Sequence, residues 1–319
     1  MELLERERII REVARSQPGH TPYVNRRPVR VPGRLDGVSL LELLCGVYPF
    51  APPTHWEEMI KQGVVLIDGQ PTSPTEVVHC GDAIERIFPN TTEPTIGWEI
   101  GVLYEDEQLL VINKPAPLPI HPCGRFNKHS VTGLAKVAWP DLTLRPAHRI
   151  DANTTGLAVF TKSRAAAGKV QYQFECQKVA KTYLTRVENT PKQPHFTVDA
   201  PIRAEADRLG RRAVSADGQP SLTDFQLLTP FKDGTALLEA RPQTGRTNQI
   251  RIHLQNAGYP IVGDGAYGST EELSQGFTSG DLHLCLHAWK VRFTHPQTDQ
   301  PIEFETPLPS WAKELDSTP

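Results

Sequence analysis

The sequence has no long apolar run, few cysteines and almost no net charge. None of its apolar stretches approaches the ~18 residues of a membrane helix, and the charged start MELLERERIIREVAR does not resemble a signal peptide. The five cysteines include no C-x-x-C pair, which argues against a disulfide framework and against a zinc ribbon. These absences predict a soluble protein in a reducing cytoplasm.

Several catalytic motifs are also missing. No Gly-Lys has a glycine five positions earlier, so the P-loop typical of phosphoryl transfer is absent from the sequence. No G-x-S-x-G occurs either, so the sequence lacks the motif typical of serine hydrolases. Residues 263–268 spell G-x-G-x-x-G, but the apolar stretch before them is too short for the buried strand of a dinucleotide site, so we interpret them as a tight turn. His283, Cys285 and His287 alternate along an expected strand without a fourth ligand, which favours packing over metal binding.

Charge is distributed unevenly along the chain. The net charge of -3 and the pI near 6.4 would by themselves argue against a nucleic-acid partner. By segment, however, the net charge is +4 in residues 1–34, -5 in 34–88 and +6 in 145–186. Residues 241–255 add three arginines and no acid. The total therefore averages an acidic segment with basic ones, and it does not exclude an RNA partner.

Proline and polar clusters divide the chain into four parts. Residues 1–34 contain four prolines after a short Arg/Glu helix, and we expect them to form a basic, extended N-terminal arm. Residues 35–89 contain two helical patterns and short strands, which indicate a small α/β module. Residues 90–97 are polar and form a plausible linker, and residues 98–319 form one large domain.

The large domain shows strands in quick succession. Strand patterns recur through GVLYEDEQLLVINKP, GLAVFTKS, KTYLTRVEN, ALLEARPQ, DLHLCLHAWKVRFTHP and PIEFETPLP, interrupted by the helical stretches SRAAAGKVQYQFECQK and TNQIRIHLQNAG. Strands joined mostly by short turns indicate a mainly antiparallel sheet. We predict an α+β class with a mixed, mainly antiparallel sheet flanked by helices.

Three segments carry candidate chemistry. Asp151 lies in HRIDANTTG, where Asn-Thr-Thr-Gly is typical of a turn before an apolar strand, so its carboxylate is predicted to project from a firmly held loop. Arg246 and Arg251 lie in TGRTNQIRIHL, and Tyr183 follows Lys181 at the start of KTYLTRV. Taken singly, these residues are also compatible with a turn-capping aspartate, surface arginines and a half-buried tyrosine.

Together and in this order, the three segments resemble the motifs of the RluA family of RNA pseudouridine synthases. The resemblance extends to INKPAPLPIHP upstream and to YPIVGDGAYG and LCLHAWKVRFTHPQT downstream, and it covers about residues 98–310. Residues 35–89, with W-x-x-x-I-x-x-G-V-x-x-I-D-G and G-D-x-I, are similar to an S4-type RNA-binding module.

The resemblance implies isomerisation of uridine within tRNA or rRNA, without a metal or other cofactor. Asp151 would be the catalytic carboxylate, acting either on C1′ or on the C2′ proton. Arg251 would pair with it, and Tyr183 would stack on the flipped uracil and assist removal of the C5 proton.

RNA and substrate contacts are expected from further polar residues. Arg149 is expected to contact the phosphate backbone or fill the gap left by the flipped nucleotide, and Lys114 is expected to add to the basic surface. The remaining candidates are Lys181, Arg246 and Asn248.

The sequence departs from the family pattern at Ala152, where an arginine is common, and at Asn248, where a histidine is common. The acidic S4-like module is expected to contribute little RNA affinity, and the N-terminal arginines more. Two alternatives stay open: a nucleoside or glycoside hydrolase pairing Asp151 with Asp264, and an RNA-binding or ribosome-assembly protein without turnover.

Overall fold

The computed structural model describes residues 2–49, 51–207, 210–268 and 284–313. The chain divides into two compact units: unit 1 comprises residues 1–18 and 94–319, and unit 2 comprises Gly19–Glu93. His283 lies outside the described residues.

The helices and strands follow the chain in this order. The helices are α1 (Leu3–Arg15), α2 (Leu40–Val47), α3 (Pro53–Lys61), α4 (Val131–Ala138), α5 (Arg164–Glu175) and α6 (Gln249–Asn256), with 3-10 turns at Gly33–Leu35 and Ser310–Ala312. The strands are β1 (Tyr23–Val29), β2 (Val38–Ser39), β3 (Val65–Ile67), β4 (Gln70–Pro71), β5 (Val77–Val78), β6 (Ile84–Thr91), β7 (Gly101–Glu105), β8 (Leu109–Lys114), β9 (Arg145–Pro146), β10 (Thr155–Thr161), β11 (Ala180–Val187), β12 (His195–Asp199), β13 (Leu222–Pro230), β14 (Ala236–Pro242), β15 (Leu286–Thr294) and β16 (Pro301–Glu305).

Unit 1 is built on one ten-stranded sheet. Its strand order is β12-β13-β14-β11-β15-β10-β8-β7, with β9 paired to β10 and β16 paired to β15. Strands β10 and β15 run parallel, and the other pairs are antiparallel. The predicted α+β class with a mixed, mainly antiparallel sheet is confirmed.

The centre of this sheet is fully buried. Residues 109–112 of β8 and 157–160 of β10 are apolar and at most 1% exposed, because α1, α4 and α5 pack in the same core as these strands. The register sets Gly156 opposite Lys114, so the loop that leads into β10 ends beside the last residue of β8. This rigid centre holds residues 147–155 in place.

Unit 2 packs α2 and α3 on a four-stranded sheet of order β1-β6-β3-β4. Helix α2 begins with a capping box between Ser39 and Glu42. The β3–β4 hairpin turns at Asp68 and Gly69, both with positive φ, which is typical of an Asp-Gly pair between two strands.

The N-terminal residues differ from the expected extended arm. Helix α1 buries Ile10 and Ala14 in the core of unit 1, and the Arg6 guanidinium donates to Glu105 of β7. Strand β1 pairs with β6 at the edge of the sheet of unit 2, where Pro28 is tolerated. The reason for the difference in α1 is that its buried residues recur at helical spacing. They form a narrow stripe among many charged residues, so the sequence does not make the buried face obvious.

Helix α4, which contains Gly133, is not among the helical stretches that the sequence indicated. A Cβ at Gly133 would lie 2.6 Å from the Lys128 carbonyl oxygen, so close backbone packing requires glycine there. The Ser130 hydroxyl accepts the Gly133 N–H at 3.2 Å and caps the helix.

The described residues contain neither a membrane-crossing helix nor a cluster of metal ligands. Among the helices in the described ranges, none has both the length and the apolar character needed to cross a membrane. Within the same part of the chain, no three His, Cys, Asp or Glu side chains are grouped as metal ligands. Cys285 and His287 are buried, and hydroxyls of Thr155 and Thr306 lie 2.7 and 2.6 Å from the two His287 ring nitrogens.

Candidate active site

A cleft of about 400 Å³ in unit 1 brings the candidate segments together. Its walls come from the loop before β10, the start of β11 and the turn that leads into α6. The lining side chains are His148, Arg149, Ile150, Asp151, Thr154, Phe174, Glu175, Gln177, Lys181, Tyr183, Pro242, Thr244, Arg246, Thr247, Asn248, Gln249, Ile250, Arg251 and Leu286, with Gly245. Of the predicted site residues, all except Lys114 line this cleft.

Asp151 projects from a turn with a fixed backbone. The Thr154 N–H donates to the Asp151 carbonyl oxygen at 3.1 Å, and the Leu118 N–H donates to that of Ala152 at 2.8 Å. Gly156 follows with a φ of 105°, and a Cβ there would lie 2.2 Å from the Ala288 carbonyl oxygen. Only glycine fits this approach of β10 to β15, and the Asp151 side chain itself is 30% exposed.

Lys114 lies beneath this turn and not on the surface. Its side chain is completely buried, and its Nζ donates to the carbonyl oxygens of Pro115 at 2.9 Å and Ala152 at 3.1 Å. Burial lowers the pKa of Lys114 to about 7, although the charge of Asp151 opposes this shift. The expectation that Lys114 adds to the basic surface is therefore wrong: a fully buried ammonium cannot reach a phosphate.

The principal partner of Arg251 is Asp264, which the sequence did not identify in that role. Arg251 Nε and Nη2 donate to the two Asp264 oxygens at 2.8 and 2.7 Å. The contact from Arg251 Nη1 to Asp151 is longer, at 3.5 Å. Burial opposes a charged guanidinium, but the bonds and charge of Asp264, together with the charge of Asp151, raise the pKa of Arg251.

Asp264 is saturated by hydrogen bonds. Its side chain is completely buried, and Oδ1 also accepts the backbone N–H groups of Ala266 and Tyr267, both at 3.0 Å. The turn that carries it is the G-x-G-x-x-G stretch, in which Gly263 has a φ of 76°. This stretch is thus a tight turn that holds the Asp264 carboxylate against Arg251. In the sequence, the glycine spacing of this stretch was the feature that could have indicated such a turn.

Asn248 joins the same network from the start of α6. It adopts a left-handed conformation with a φ of 58°, which asparagine tolerates better than most residues. Its Oδ1 accepts from Arg251 Nη1 at 3.1 Å, and its Nδ2 donates to the Tyr267 hydroxyl at 3.1 Å.

Tyr183 lies on β11, where the pairing with β15 shifts register between Thr182 and Tyr183. Such irregularities redirect side chains near functional sites. The ring is half-buried in the cleft wall. Burial and the nearby charge of Asp151 raise the pKa of the Tyr183 hydroxyl, so it stays protonated at neutral pH.

Three cationic side chains stand along the cleft. Arg149 is exposed, and Lys181 Nζ donates to the Thr244 carbonyl oxygen at 3.1 Å. Arg246 Nε donates weakly to the Pro220 carbonyl oxygen at 3.3 Å. Burial lowers the pKa of Lys181 to about 8, which leaves it mostly charged at neutral pH. These groups provide a positive rim that suits a polyanion.

His148 is a cleft residue to which the sequence assigned no role. Its ring stacks on Phe174 with centroids 4.7 Å apart, and its Nε2 accepts the Val159 N–H at 3.1 Å. Burial and the charge of Lys181 lower the pKa of His148 to about 3. His148 is therefore a neutral aromatic side chain in the cleft wall. Its position next to Arg149 in the HRID segment was the feature of the sequence that could have indicated a place in the site.

Comparison with known proteins identifies the family. A family model described as RNA pseudouridylate synthase matches residues 108–256. The chain is 32% identical over 298 residues to ribosomal large subunit pseudouridine synthase D of Xanthomonas campestris, which covers 89% of each chain. The chain belongs to the RluA family of RNA pseudouridine synthases.

Other relatives of this family agree. Ribosomal large subunit pseudouridine synthase C of Vibrio vulnificus is 36% identical, over 81% of this chain and 85% of that protein. The solved structure of human RNA pseudouridylate synthase domain containing 1 matches with a TM-score of 0.55 at 25% identity, covering 66% of this chain and 84% of that one. As a pseudouridine synthase, the protein is an isomerase that acts on RNA.

Proposed function

We propose that this protein isomerises a uridine of large-subunit ribosomal RNA, with Asp151 as the catalytic carboxylate and the target nucleotide flipped into the cleft. The observation that carries the proposal is the position of Asp151: a partly exposed carboxylate in a cleft, 3.5 Å from a guanidinium that Asp264 holds from behind. Arg251 therefore supplies a fixed positive charge without sealing Asp151 from a ligand.

The reaction needs one carboxylate and no external reagent. The N1–C1′ bond breaks, the uracil turns, C5 bonds to C1′, the C5 proton leaves and N1 gains a proton. Asp151 starts cleavage either by attacking C1′ or by removing the C2′ proton, and an ionised carboxylate serves both routes.

Tyr183 serves as the stacking surface for the uracil in this proposal. Its raised pKa keeps the hydroxyl protonated, which favours stacking and disfavours a phenolate base for the C5 proton. The stacked rings of His148 and Phe174 add a second aromatic surface to the lining of the same cleft.

The cleft favours a single flipped nucleotide. Its volume of about 400 Å³ is in the range of small-ligand sites, too small for a base pair within a duplex. Flipping costs a few kcal/mol, which contacts from Arg149, Lys181 and Arg246 to phosphates would offset.

Ribosomal RNA is favoured over tRNA by the relatives. The proteins from Xanthomonas campestris, Nitrosomonas europaea and Vibrio vulnificus are named as synthases of the large ribosomal subunit. Transfer RNA is the alternative substrate.

Unit 2 is proposed to be an S4-like module whose RNA contact lies on β1. Arg26 is exposed on this edge strand and Arg30 is exposed directly after its last residue, whereas acids such as Glu57 and Glu58 lie on α3. Four of the eight N-terminal arginines therefore belong to unit 2 itself. Replacing Arg26 and Arg30 with glutamine is expected to weaken RNA binding, and unchanged affinity would contradict this placement.

The hydrolase alternative is disfavoured because Asp264 is buried and both its oxygens accept bonds. A carboxylate held in this way is a poor proton donor to a leaving group. A non-catalytic role is disfavoured because Asp151, Tyr183 and Arg251 share one cleft.

Pseudouridine mapping tests the proposal. Ribosomal and transfer RNA from a strain lacking the gene are compared with wild type, and the strain is complemented with wild type, Asp151→Asn or Asp141→Asn. Asp141 is an exposed aspartate of the same unit and serves as the matched control. We expect at least one large-subunit site to disappear and only wild type and Asp141→Asn to restore it. Full restoration by Asp151→Asn would overturn the assignment, and a site lost only from tRNA would overturn the choice of substrate.

A further inference from the structure

Tyr267 contacts Arg251 and two of the residues that bond to it, Asp264 and Asn248. Its ring centroid lies 4.9 Å from Arg251 Cζ, and its backbone N–H donates to Asp264 Oδ1 at 3.0 Å. Its hydroxyl accepts from Asn248 Nδ2 at 3.1 Å. The residue is 4% exposed, so these contacts form in an environment from which water is largely excluded.

The Tyr267 hydroxyl is itself anchored. The backbone N–H of Arg212, in the segment between β12 and β13, donates to it at 2.9 Å. That segment is held by backbone hydrogen bonds: the Arg203 N–H donates to the Ala213 carbonyl oxygen at 3.0 Å, and the Ser215 N–H donates to the Pro201 carbonyl oxygen at 2.9 Å. The Tyr267 oxygen therefore accepts from two N–H groups, one on the backbone of Arg212 and one on the side chain of Asn248.

The two partners of the Asn248 amide leave it one orientation. Arg251 carries only donors, so Oδ1 is the amide atom that can accept from its Nη1, and the NH2 group is left to bond to the Tyr267 oxygen. The opposite orientation would set the NH2 group against an N–H of Arg251, two donors facing each other. Nη1 is also the nitrogen that reaches Asp151 at 3.5 Å.

We propose that Tyr267 is a positioning residue, whose hydroxyl anchors the NH2 group of Asn248 so that Arg251 Nη1 is held toward Asp151. The inference rests on the proposed function, in which Asp151 is the catalytic carboxylate. In this relay from Tyr267 through Asn248 to Arg251, the bond to Tyr267 holds the amide beside the guanidinium.

The test is a double-mutant cycle with Tyr267→Phe and Asn248→Ala, measured on the full-length enzyme with a uridine-containing transcript of its mapped site. Loss of one hydrogen bond of about 1 kcal/mol corresponds to roughly a fivefold change. We expect each single variant to lower kcat by about five- to tenfold with RNA affinity unchanged, and the double variant to be no slower than the slower single variant.

Tyr259→Phe is the matched control, because Tyr259 packs on Phe196 and no hydrogen bond from its hydroxyl is found in the described ranges. It should retain wild-type kcat. Asn248→Ala alters a partly exposed side chain, so it tests the relay even if Tyr267→Phe folds poorly.

Either of two results overturns the relay: wild-type kcat in a folded single variant, or multiplicative losses in the double variant. Inactive Asp151→Asn with fully active Tyr267→Phe would refute the relay alone. Active Asp151→Asn would refute the proposed function instead.

Discussion

Asp264→Asn offers a direct test of how the site is held. The substitution keeps the shape of the side chain but removes its charge and one of its two acceptor oxygens. Arg251, with a side chain 9% exposed, would then keep its charge without the buried carboxylate that now accepts two of its N–H groups.

The magnitude follows from this burial. Removing one partner of a buried ion pair costs about 3–5 kcal/mol, since the other charge is left uncompensated. The amide retains one acceptor, so we expect about 3 kcal/mol. For a folding unit of this size, that loss lowers Tm by about 6–12 °C. The exposed Arg211–Asp207 pair, with side chains 42% and 44% exposed, is the control, and Asp207→Asn should cost below about 1 kcal/mol.

Thermal unfolding and turnover measure the two consequences. We expect Asp264→Asn to unfold at lower temperature and, below that temperature, to lose at least about tenfold in kcat because Arg251 is no longer fixed toward Asp151. A double variant, Arg251→Met with Asp264→Asn, should recover stability relative to Asp264→Asn while remaining inactive, because it removes the uncompensated charge and keeps an acceptor for the Ala266 and Tyr267 N–H groups. If Asp264→Asn were as stable as Asp207→Asn, the reasoning would fail. Release of free uracil by the wild type would instead support the hydrolase.

Three further predictions concern buried groups of unit 1. Burial lowers the pKa of Lys114 from 10.5 to about 7, so between these pH values the unfolded chain binds more protons than the folded one. The unfolding free energy of wild type relative to Lys114→Met should therefore rise by about 1.4 kcal/mol per pH unit from pH 7 toward 10.5. Urea unfolding measures this difference, and a difference that does not change with pH would contradict the prediction. The pKa of His148 is lowered from 6.5 to about 3. The unfolding free energy of wild type relative to His148→Gln should therefore fall by about 1.4 kcal/mol per pH unit as the pH drops from 6.5 toward 3. If the unfolding free energies of the two proteins changed in parallel over this pH range, the prediction would be wrong. Gly156→Ala should abolish activity and destabilise unit 1 by several kcal/mol, since the new Cβ would lie 2.2 Å from the Ala288 carbonyl oxygen. The control is Gly168→Ala, whose Cβ would have no atom within 4 Å and which should be neutral or stabilising by up to about 1 kcal/mol. Equal thermal stability of the two variants would refute the packing argument.

Much of the fold could be predicted because its signals are local. Alternating or continuous apolar runs marked β8, β10, β11, β14 and β15, and the Asp-Gly turn marked the β3–β4 hairpin. Helix α4 could not be predicted in the same way, since Gly133 is there for a contact with the Lys128 carbonyl oxygen, a neighbour that composition does not reveal.

The site shows the same division. Asp151, Tyr183 and Arg251 could be chosen by motif, and they line one cleft. The burial of Lys114 and the role of Asp264 could not be chosen by motif. Both depend on a tertiary contact: the approach of Lys114 to the Ala152 carbonyl oxygen, and the return of the 263–268 turn onto α6. A lysine at the end of a strand gives no local sign of which side of the sheet will be covered.

The hydrogen-bond inventory of Arg251 suggests why the site uses two carboxylates for one guanidinium. Nε and Nη2 are committed to Asp264, and Nη1 is shared between Asn248 at 3.1 Å and Asp151 at 3.5 Å. Asp151 therefore stands near a positive charge that is already firmly bonded elsewhere. A short bidentate pair with Asp151 would orient it better but would occupy the lone pairs that its proposed reaction requires. By satisfying Arg251 from behind, Asp264 leaves the carboxylate in the cleft oriented and still free to react.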